Sequence, residues 1–548
     1  MSLILRIFVL SITLLSSCKN ASPTPATFLE VKSVLIDGLN PSANNLQNIS
    51  TNPKITINFS SKLNSSSLNN SLILTNFATR DTIKTNFQLT KNDSTAIFSP
   101  QNPLKNLSKY SLELNQTVKS SKNEQLQSGI QVNFSTLMDS TDKFPRISDE
   151  ALLTLVQKQT FKYFWDFGHP VSGLARERDT SGDIITSGGS GFGIMAIPVA
   201  IERSFISRTE GLDRMLKITD FLINKAEKFH GVFPHWLNGA TGATVPFSSK
   251  DNGADLVETS YLMMGLLATR QYFDQNSEKE NQLRKQITQL WEAVEWDWHT
   301  QNGQKVLYWH WSPNYAWQMN HQIHGWNEAL ITYILAAASP THAISKDVYD
   351  QGWARSGAQK NGSTFYGHKL PLGENLGGPL FFEQYTFLGI DPRNLSDAYA
   401  NYAEQTRNHS LINRAYCIDN PKKYLGYSKD CWGLTASDTY NGYSAHSPTN
   451  DLGVITPTAA LSSMPFTPAE SMDALRFFYF KLGDKLWKNH GFIDAFSLDR
   501  GWYATSFLAI DQGPIIGMIE NHRTGLLWKL TMKDPDVQSG LKKLGFKF

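Results

Sequence analysis

The side chains with the clearest capacity for chemistry are carboxylates that lie among aromatic residues and glycines. Glu258 stands inside a mainly apolar stretch, Asn252 to Arg270, whose spacing predicts a helix with Asn252 as its N-cap. A carboxylate in such a helix must be paired, hydrogen-bonded or protonated, because burial of a bare charge is costly. Glu258 is therefore either a structural ion-pair partner or a catalytic acid with a raised pKa.

Three more carboxylates have comparable surroundings. Asp179 and Asp183 precede a glycine and serine run, residues 187–191, and Asp438 follows a Trp-Gly pair. The glycine run lacks the Lys-Ser/Thr ending of a phosphate-binding loop, so we expect it to let a ligand approach the backbone. Paired carboxylates in an aromatic cleft indicate glycoside hydrolysis. One carboxylic acid protonates the leaving oxygen, and a second carboxylate activates water or attacks the anomeric carbon.

Aromatic side chains are abundant, with 14 Trp, 19 Tyr and 31 Phe, and none of the first 160 residues is Trp. His321, His324 and Glu328 have a spacing that would place them on one helix face, where a metal ion could bind. No HExxH pattern is present, and the many tryptophans suit sugar stacking better, so we expect no metal and no other cofactor. The residues expected to contact substrate are Trp165, His235, Trp236, Trp317, His324, Glu328, Tyr443, Asp451 and Trp502.

Two other functions remain open at this stage. A polysaccharide lyase would use Tyr443 or His446 as its base, and a non-catalytic glycan-binding lipoprotein would use the same aromatic residues. Several carboxylates in one cleft favour catalysis, because a neutral sugar chain needs none merely to bind. The net charge of +2 gives no electrostatic reason to expect nucleic acid as a partner.

The elements that must position these residues are mostly helices. Ser148 is a helix N-cap, and about a dozen helical patterns follow it to the end of the chain, separated by long glycine-rich loops. This number of helices predicts an all-α (α/α)6 barrel over residues 148–548. A helical solenoid is the alternative, but no repeat of fixed period is present. Residues 138–147 form the predicted linker before this domain.

Shorter segments precede the linker. Residues 29–137 contain brief alternating strands, such as 55–59, 110–114 and 130–134, and predict an immunoglobulin-like β-sandwich without a cluster of titratable groups. Residues 19–28 form a polar tether.

Residues 1–18 have the pattern of a bacterial lipoprotein signal peptide. An apolar run after Arg6 ends in Leu15-Ser16-Ser17-Cys18, which predicts cleavage before Cys18 and lipidation of its thiol. The only expected membrane contact is this anchor, on the outer membrane facing the periplasm or on the cell surface. The two remaining cysteines, Cys417 and Cys431, would be able to form a disulfide in an oxidising compartment.

Several ordered motifs carry a resemblance to a known family. They are Phe161-Lys162-Tyr163-Phe164-Trp165, Arg178-Asp179 to Asp183, Ser187 to Gly193, Asp255 to Ser260, Trp432 to Asp438, Ser463 to Phe466 and Ile510 to Pro514. Together they cover nearly all of 149–548 and resemble the glucoamylase-like domain of glycoside hydrolase family 144. The segment before it resembles bacterial Ig-like domains.

The resemblance implies an (α/α)6 barrel and an inverting hydrolase of β-1,2-glucan or its sophoro-oligosaccharides, in a family with endo-acting and sophorose-releasing exo-acting members. The family's acidic residues match Asp179, Asp183, Glu258 and Asp438. We expect Glu258 to be the general acid. Asp183 or Asp438 would orient or activate the water, and Asp179 would support the site.

Overall fold

A computed structural model describes residues 27–41 and 46–548. These residues divide into two compact units, one ending with Lys109–Thr136 and the other made mainly of Leu137–Phe548. The three residues Asn106–Ser108 belong to the second unit. The predicted signal peptide with Cys18 and most of the predicted tether lie outside the described residues.

The first unit is a two-sheet β structure, as the alternating sequence predicted. Its strands are β1 (Val31–Ile36), β2 (Leu46–Ile49), β3 (Ile55–Phe59), β4 (Leu72–Asn76), β5 (Thr82–Ile83), β6 (Thr85–Thr90), β7 (Thr95–Pro100), β8 (Lys109–Leu114) and β9 (Ile130–Thr136). One sheet has the order β1-β3-β7-β6 and the other β2-β9-β8-β4-β5. All neighbouring strands are antiparallel except β2 and β9. Alternate residues of β3, Ile55, Ile57 and Phe59, point into the core between the sheets, which gives this unit its own hydrophobic core.

The second unit is helical. Its helices in the described chain are α1 (Asp149–Trp165), α2 (Ser187–Glu202), α3 (Arg208–Asn224), α4 (Leu256–Tyr272), α5 (Glu278–Glu292), α6 (Leu330–Ala338), α7 (Lys346–Val348), α8 (Phe381–Gln384), α9 (Tyr402–Asp419), α10 (Pro457–Leu461), α11 (Pro468–Arg476), α12 (Gly483–Leu486), α13 (Ala509–Arg523), α14 (Leu526–Lys533) and α15 (Pro535–Leu544). Ser148 caps α1, as predicted.

The loops between these helices contain short strands. They are β10 (Ile184–Thr186), β11 (Trp236–Asn238), β12 (Thr244–Val245), β13 (Ala254–Asp255), β14 (Leu307–Tyr308), β15 (His310–Trp311), β16 (Gln322–Ile323), β17 (Thr364–Phe365), β18 (His368–Lys369), β19 (Ala436–Thr439), β20 (Gly442–Ala445), β21 (Trp487–Lys488), β22 (Gly491–Phe492), β23 (Phe496–Ser497) and β24 (Trp502–Tyr503). They fix the backbone that carries several of the candidate site residues.

The helices fall into two classes by burial. Helices α2, α4, α6 and α13 are buried on nearly all sides, whereas α3, α5 and α15 each bury one face. A helix that is apolar all round belongs inside a large fold, and an amphipathic helix belongs at its surface. The four buried helices therefore form the interior of this unit.

Direct contacts join the inner helices in sequence. Helix α2 packs against both α4 and α13. Side-chain and backbone hydrogen bonds link α4 to α6 (Ser260 to Thr332, 2.9 Å), α8 to α10 (Gln384 to Ala459, 2.8 Å) and α10 to α13 (Thr458 to Asp511, 2.8 Å). The α6 backbone also bonds Thr386, just after α8, at 3.0 Å. The chain of neighbours thus returns from α13 to α2.

Two predicted element boundaries are wrong. Helix α4 begins at Leu256 with Asp255 as its N-cap, because the Asp255 carboxylate accepts the Glu258 N–H at 2.9 Å. The helix predicted to carry His321, His324 and Glu328 on one face begins only at Leu330, so these three residues do not share a helix face.

The glycine run of 187–191 is the first turn of α2 rather than an open ligand loop. A Cβ atom at Gly191 would lie 2.2 Å from the Tyr261 carbonyl oxygen of α4, and one at Gly265 would lie 2.3 Å from the Gly191 carbonyl oxygen. These glycines therefore serve helix packing, since they let the two backbones approach closely. In the part of the chain that is described, no helix has both the length and the hydropathy needed to cross a bilayer.

Candidate active site

Glu258 lies in the first turn of α4 and is only 7% exposed. Its Oε2 atom accepts hydrogen bonds from the Gly188 N–H at 2.7 Å and the Thr186 hydroxyl at 3.3 Å. A Cβ atom at position 188 would lie 2.5 Å from this oxygen, so the contact requires glycine there. Burial raises the pKa of Glu258 above its ordinary value, against the opposing effect of His235. Burial of Glu258 therefore favours the protonated form of its carboxyl group.

A cluster of two histidines and two aspartates lies beside Glu258. His235 Nδ1 is 2.9 Å from Asp255, and His310 Nε2 lies 3.3 Å from Asp251 and 3.5 Å from Asp255. Burial alone would lower the pKa of each histidine, but the surrounding carboxylates outweigh it and raise both values to about 9. Both imidazoles are therefore cationic at neutral pH.

The same cluster contains potential metal ligands. Ligand atoms of His235, Asp251 and Asp255 lie within 4.8 Å of one another. The histidine nitrogens and aspartate oxygens are already paired with one another, at 2.9 Å for His235 and Asp255 and at 3.3 Å for His310 and Asp251. The cluster is therefore explained by ion pairing among its own members.

Glu328 is the next carboxyl group along the site. Burial, together with the nearby Glu258 and Asp255, raises the pKa of Glu328 to about 7. Its backbone carbonyl accepts hydrogen bonds from the hydroxyls of Thr386 at 2.9 Å and Tyr261 at 3.4 Å. The segment that carries Glu328 is thus held by the inner elements of the fold, although it lies in a turn rather than on the predicted helix.

Asp438 belongs to a second carboxylate group. Its Oδ2 atom accepts hydrogen bonds from Arg178 Nη1 at 3.1 Å and the Ser506 hydroxyl at 2.5 Å. Its backbone N–H donates to Asp494 at 2.7 Å, and Tyr443 faces it across the β19–β20 hairpin. Arg178 and Ser506 thus hold the Asp438 carboxylate in place by charge and hydrogen bonding.

Tyr385 connects the two carboxylate groups. Burial raises the pKa of its hydroxyl, and the carboxyl groups of Asp511 and Glu328 both raise it further. Its ring centroid is 5.6 Å from that of Tyr261 on α4. Acidic side chains from opposite ends of the helical unit's sequence are therefore gathered around the same buried tyrosines.

The two predicted aspartates of the 179–183 segment have different surroundings. Asp179 accepts the Phe507 N–H at 3.2 Å, which joins its loop to the segment before α13. The Asp183 side chain is 62% exposed and lies 3.2 Å from His169 Nε2. Asp183 is therefore open to solvent, while Asp179 is tied to the backbone near Ser506, an Asp438 partner.

The predicted aromatic platforms divide into separate clusters. Trp236 packs near His235 and the half-exposed Phe247, with the Trp236 and Phe247 centroids 4.8 Å apart. Trp317 packs against Trp298 at 4.7 Å. Trp502 meets Tyr440 at 6.5 Å, and the exposed His324 lies in the turn before α6. The first cluster adjoins the carboxylates directly through His235.

Two predicted substrate contacts have structural surroundings instead. Trp165 stacks on Phe161 at 5.6 Å and lies under the Arg214 guanidinium at 4.2 Å. Asp451 is buried, and its oxygens accept hydrogen bonds from Tyr427 at 2.8 Å and Tyr416 at 3.1 Å. Packing and loop anchoring account for both side chains.

Two other expectations meet contrary evidence. Cys417 and Cys431 are buried free thiols rather than a disulfide, and burial raises the pKa of each. His446, the possible lyase base, is fully buried and bonds Ser437 at 3.0 Å. Burial lowers its pKa to about 3, so it is neutral and closed off from a substrate.

Sequence reasoning did not single out Asp251, His310, Tyr385, Asp494 or Asp511 as site residues. For Asp511 a signal existed, since it lies in an apolar helix just as Glu258 does. Asp494 and Tyr385 have no such signal, because only the fold brings them next to Asp438 and Glu328.

Comparison with known proteins agrees with this architecture. The family model described as "Putative glucoamylase" matches residues 320–535, and the model of a bacterial Ig-like domain matches residues 33–136. The endo-β-1,2-glucanase structure from Chitinophaga pinensis is 55% identical, covers 74% of this chain and 99% of its own, and has a TM-score of 0.72.

Two relatives come from Parabacteroides distasonis. A β-1,2-glucanase structure is 39% identical with a TM-score of 0.71, over 95% of this chain and 74% of its own. A curated exo-β-1,2-glucooligosaccharide sophorohydrolase is 49% identical over 420 residues, which are 73% of this chain and 58% of that relative's length. On this evidence the chain belongs to the glucoamylase-like glycoside hydrolase family 144 and carries a bacterial Ig-like domain ahead of the family's helical domain.

Proposed function

We propose that this protein is a glycoside hydrolase that cleaves β-1,2-glucan or sophoro-oligosaccharides. The observation that carries the proposal is the pair of unlike carboxyl groups in one helical unit. Glu258 is buried in surroundings that raise its pKa, whereas Asp438 is bonded to a guanidinium. The relatives that act on β-1,2-linked glucose polymers or oligosaccharides support the choice of substrate.

In this mechanism Glu258 is the general acid that protonates the leaving glycosidic oxygen. The hydrogen bonds from Gly188 and Thr186 to Oε2 fix the orientation of its carboxyl group. Asp438 is the group that activates the water, because Arg178 and Ser506 hold its carboxylate in place. Asp183 remains the alternative base, and Asp179 supports the loop.

The stereochemical course proposed is inversion, in which water attacks from the face opposite the leaving group. The proposed scaffold is an (α/α)6 barrel with α2, α4, α6, α8, α10 and α13 as its inner helices. The hydrogen bonds that join these helices in order, and the packing of α13 on α2, support a closed ring.

The test is incubation of the protein with β-1,2-glucan and with sophoro-oligosaccharides, followed by sizing of the products. Mixed oligosaccharides would indicate endo action, and sophorose alone would indicate exo action. Proton NMR during the first minutes would show the α-anomer first if the reaction inverts. An ultraviolet-absorbing unsaturated product would establish a lyase, and binding without new reducing ends would establish a glycan-binding protein.

We also propose that the chain is a lipoprotein of the cell envelope. The support is the Leu15 to Cys18 pattern. A Cys18→Ala protein should leave the membrane fraction and keep its hydrolytic rate in a soluble assay. Unchanged membrane fractionation of this variant would contradict the anchor.

A further inference from the structure

Behind Asp438 lies a second pair of carboxyl groups that the proposed reaction does not use. Asp494 follows β22, Asp511 lies in the first turn of α13, and both are 2% exposed. Asp494 Oδ1 and Asp511 Oδ2 are buried oxygens that have no hydrogen-bond donor among the residues that the structure describes. Each carboxyl group acts on the pKa of the other through charge and a side-chain hydrogen bond, so the two unpaired oxygens lie beside each other inside the protein.

Such a contact requires a proton. An ionised carboxylate can only accept hydrogen bonds, so two ionised groups would repel each other at a buried contact. Burial raises the pKa of Asp494 to about 7 and that of Asp511 well above its ordinary value. The pair therefore holds one proton, and the carboxyl group that carries it donates a hydrogen bond to the other carboxylate.

The pair is connected directly to the proposed base. Asp494 Oδ2 accepts the backbone N–H of Asp438 at 2.7 Å, and the Asp494 N–H donates to the Ser506 carbonyl at 3.0 Å. The Ser506 hydroxyl in turn donates to the Asp438 carboxylate. Asp494 therefore fixes both the backbone of Asp438 and one of its side-chain partners.

Helix α13 holds the other member. The Asp511 carbonyl accepts a hydrogen bond from Thr458 on α10 at 2.8 Å, and Gln512 donates to the Phe492 carbonyl at 3.0 Å. The charged and titratable groups that face the pair from neighbouring elements are Asp438, Arg178, Tyr385 and Tyr443. Arg178 is the cation among them, and its guanidinium is already bonded to Glu177 and Asp438.

We propose that Asp494 and Asp511 share one proton and act as a positioning pair that holds Asp438 at its working place in the cleft. This inference rests on the proposed hydrolase function for its kinetic consequences only. The hydrogen-bonded acid pair itself is inferred from the fold and does not depend on the proposed reaction. Ionisation of the second carboxyl group would place two adjacent negative charges beneath Asp438 and loosen that segment.

The first experiment measures the melting temperature of Asp511→Asn and the wild-type protein from pH 5 to pH 9. Asparagine keeps the shape of the group and donates the same hydrogen bond without a titrating proton. A carboxyl group whose pKa is higher in the folded than in the unfolded protein stabilises the fold while it is protonated. This stabilisation is complete below the pKa of the unfolded state and is lost as the pH rises through the pKa of the folded state. The melting temperature of the variant should therefore rise relative to that of the wild type, by about 1–3 °C per pH unit, as the pH increases from 5 toward the raised pKa of the folded pair.

Glu520→Gln is the matched control. Glu520 lies buried on the same helix, but its carboxylate bonds Arg203 at 2.7 and 2.8 Å rather than another carboxyl group. This variant should lose stability at every pH in the range. If the difference in melting temperature between Asp511→Asn and the wild type were also independent of pH, the proposal of a shared proton would be overturned.

The second experiment measures kcat and KM on sophoro-oligosaccharides. Asp511→Ala leaves Asp494 without its partner carboxyl group, so kcat should fall by about 10²-fold through misplacement of Asp438, with KM little changed. Asp511→Asn should restore most of that loss. Equal kcat in Asp511→Ala and wild type, or no rescue by asparagine in a folded protein, would overturn the positioning role. An inactive wild type would instead refute the proposed function, and the melting experiment would still decide the acid pair.

Discussion

At the scale of single residues, the site works by giving similar groups different surroundings. Glu258 has backbone and hydroxyl donors but no bonded cation, whereas Asp438 has the Arg178 guanidinium at 3.1 Å. Desolvation disfavours a charged carboxylate, and a nearby guanidinium favours it. Two carboxyl groups can therefore act as acid and base at the same pH.

The role of Glu258 predicts the behaviour of Glu258→Gln. Glutamine keeps the shape but provides no proton, so kcat should fall by about 10²–10⁴-fold with a much smaller change in KM. Burial raises the pKa of this group, so the wild type loses stability as the pH rises above the unfolded value of 4.5, and the variant should gain stability relative to the wild type over that rise. Near-normal turnover in a well-folded variant would transfer the acid role to another carboxyl group.

The His310 ion pairs predict a pH-dependent contribution to stability. Carboxylates raise the pKa of His310 to about 9, so its stabilisation is complete below the unfolded value of about 6.5 and is lost as the pH rises through 9. His310→Gln should therefore be less stable than wild type by about 2 kcal/mol at pH 6, and the gap should narrow by pH 10. Urea unfolding at both pH values measures this difference in the free energy of unfolding. A difference that is the same at pH 6 and pH 10 would contradict the presence of a charged histidine.

At the scale of elements, the contact between α2 and α4 places the acid. Gly188 makes room for the Glu258 carboxyl group, while Gly191 and Gly265 let the two helices approach. The capping carboxylate of Asp255 also bonds His235, so the start of α4 and the ion-pair cluster share one residue. Helix packing and the geometry of the acid are thus determined by the same few positions.

This packing predicts the effect of Gly191→Ala. A methyl group 2.2 Å from the Tyr261 carbonyl must push α2 and α4 apart, which should cost about 1–3 kcal/mol of stability and also reduce kcat. Thr209→Ala, an exposed position on α3, is the control and should change stability little. The free energy of unfolding and kcat should be measured on the same preparations. A Gly191→Ala protein that matched Thr209→Ala in both quantities would contradict the prediction.

At the scale of the whole molecule, the described chain has two units with separate hydrophobic cores. Every carboxyl group placed in the site comes from the helical unit. The immunoglobulin-like unit contributes no clustered titratable groups among its described residues that bear on the proposed reaction. Its proposed role is therefore that of a spacer that supplies no catalytic group.

Removal of the first unit tests this role. A chain that starts at Leu137 should fold and retain kcat on short sophoro-oligosaccharides, because all proposed catalytic residues remain. Circular dichroism and product sizing over a series of substrate lengths provide the measurement. A folded chain without hydrolysis at any substrate length would show that the first unit helps to build the cleft.

The sequence by itself determined much of this protein. The alternating strands, the Ser148 cap and the apolar helix around Glu258 depend on local periodicity and capping, which a single segment contains. The unusual position of Glu258 was visible because a carboxylate among apolar residues is costly unless its surroundings compensate for it.

Only the tertiary structure decided which groups act together. Asp438, Asp494 and Asp511 are far apart in the chain, and their contacts depend on how α10, α13 and the short strands pack. The same holds for the glycines of 187–191, whose partner is a helix some 70 residues later rather than a ligand. The periodicity of a sequence indicates which face of a helix or strand is buried. The desolvation and pairing of a carboxyl group depend on neighbours from distant parts of the chain, which a local pattern cannot identify.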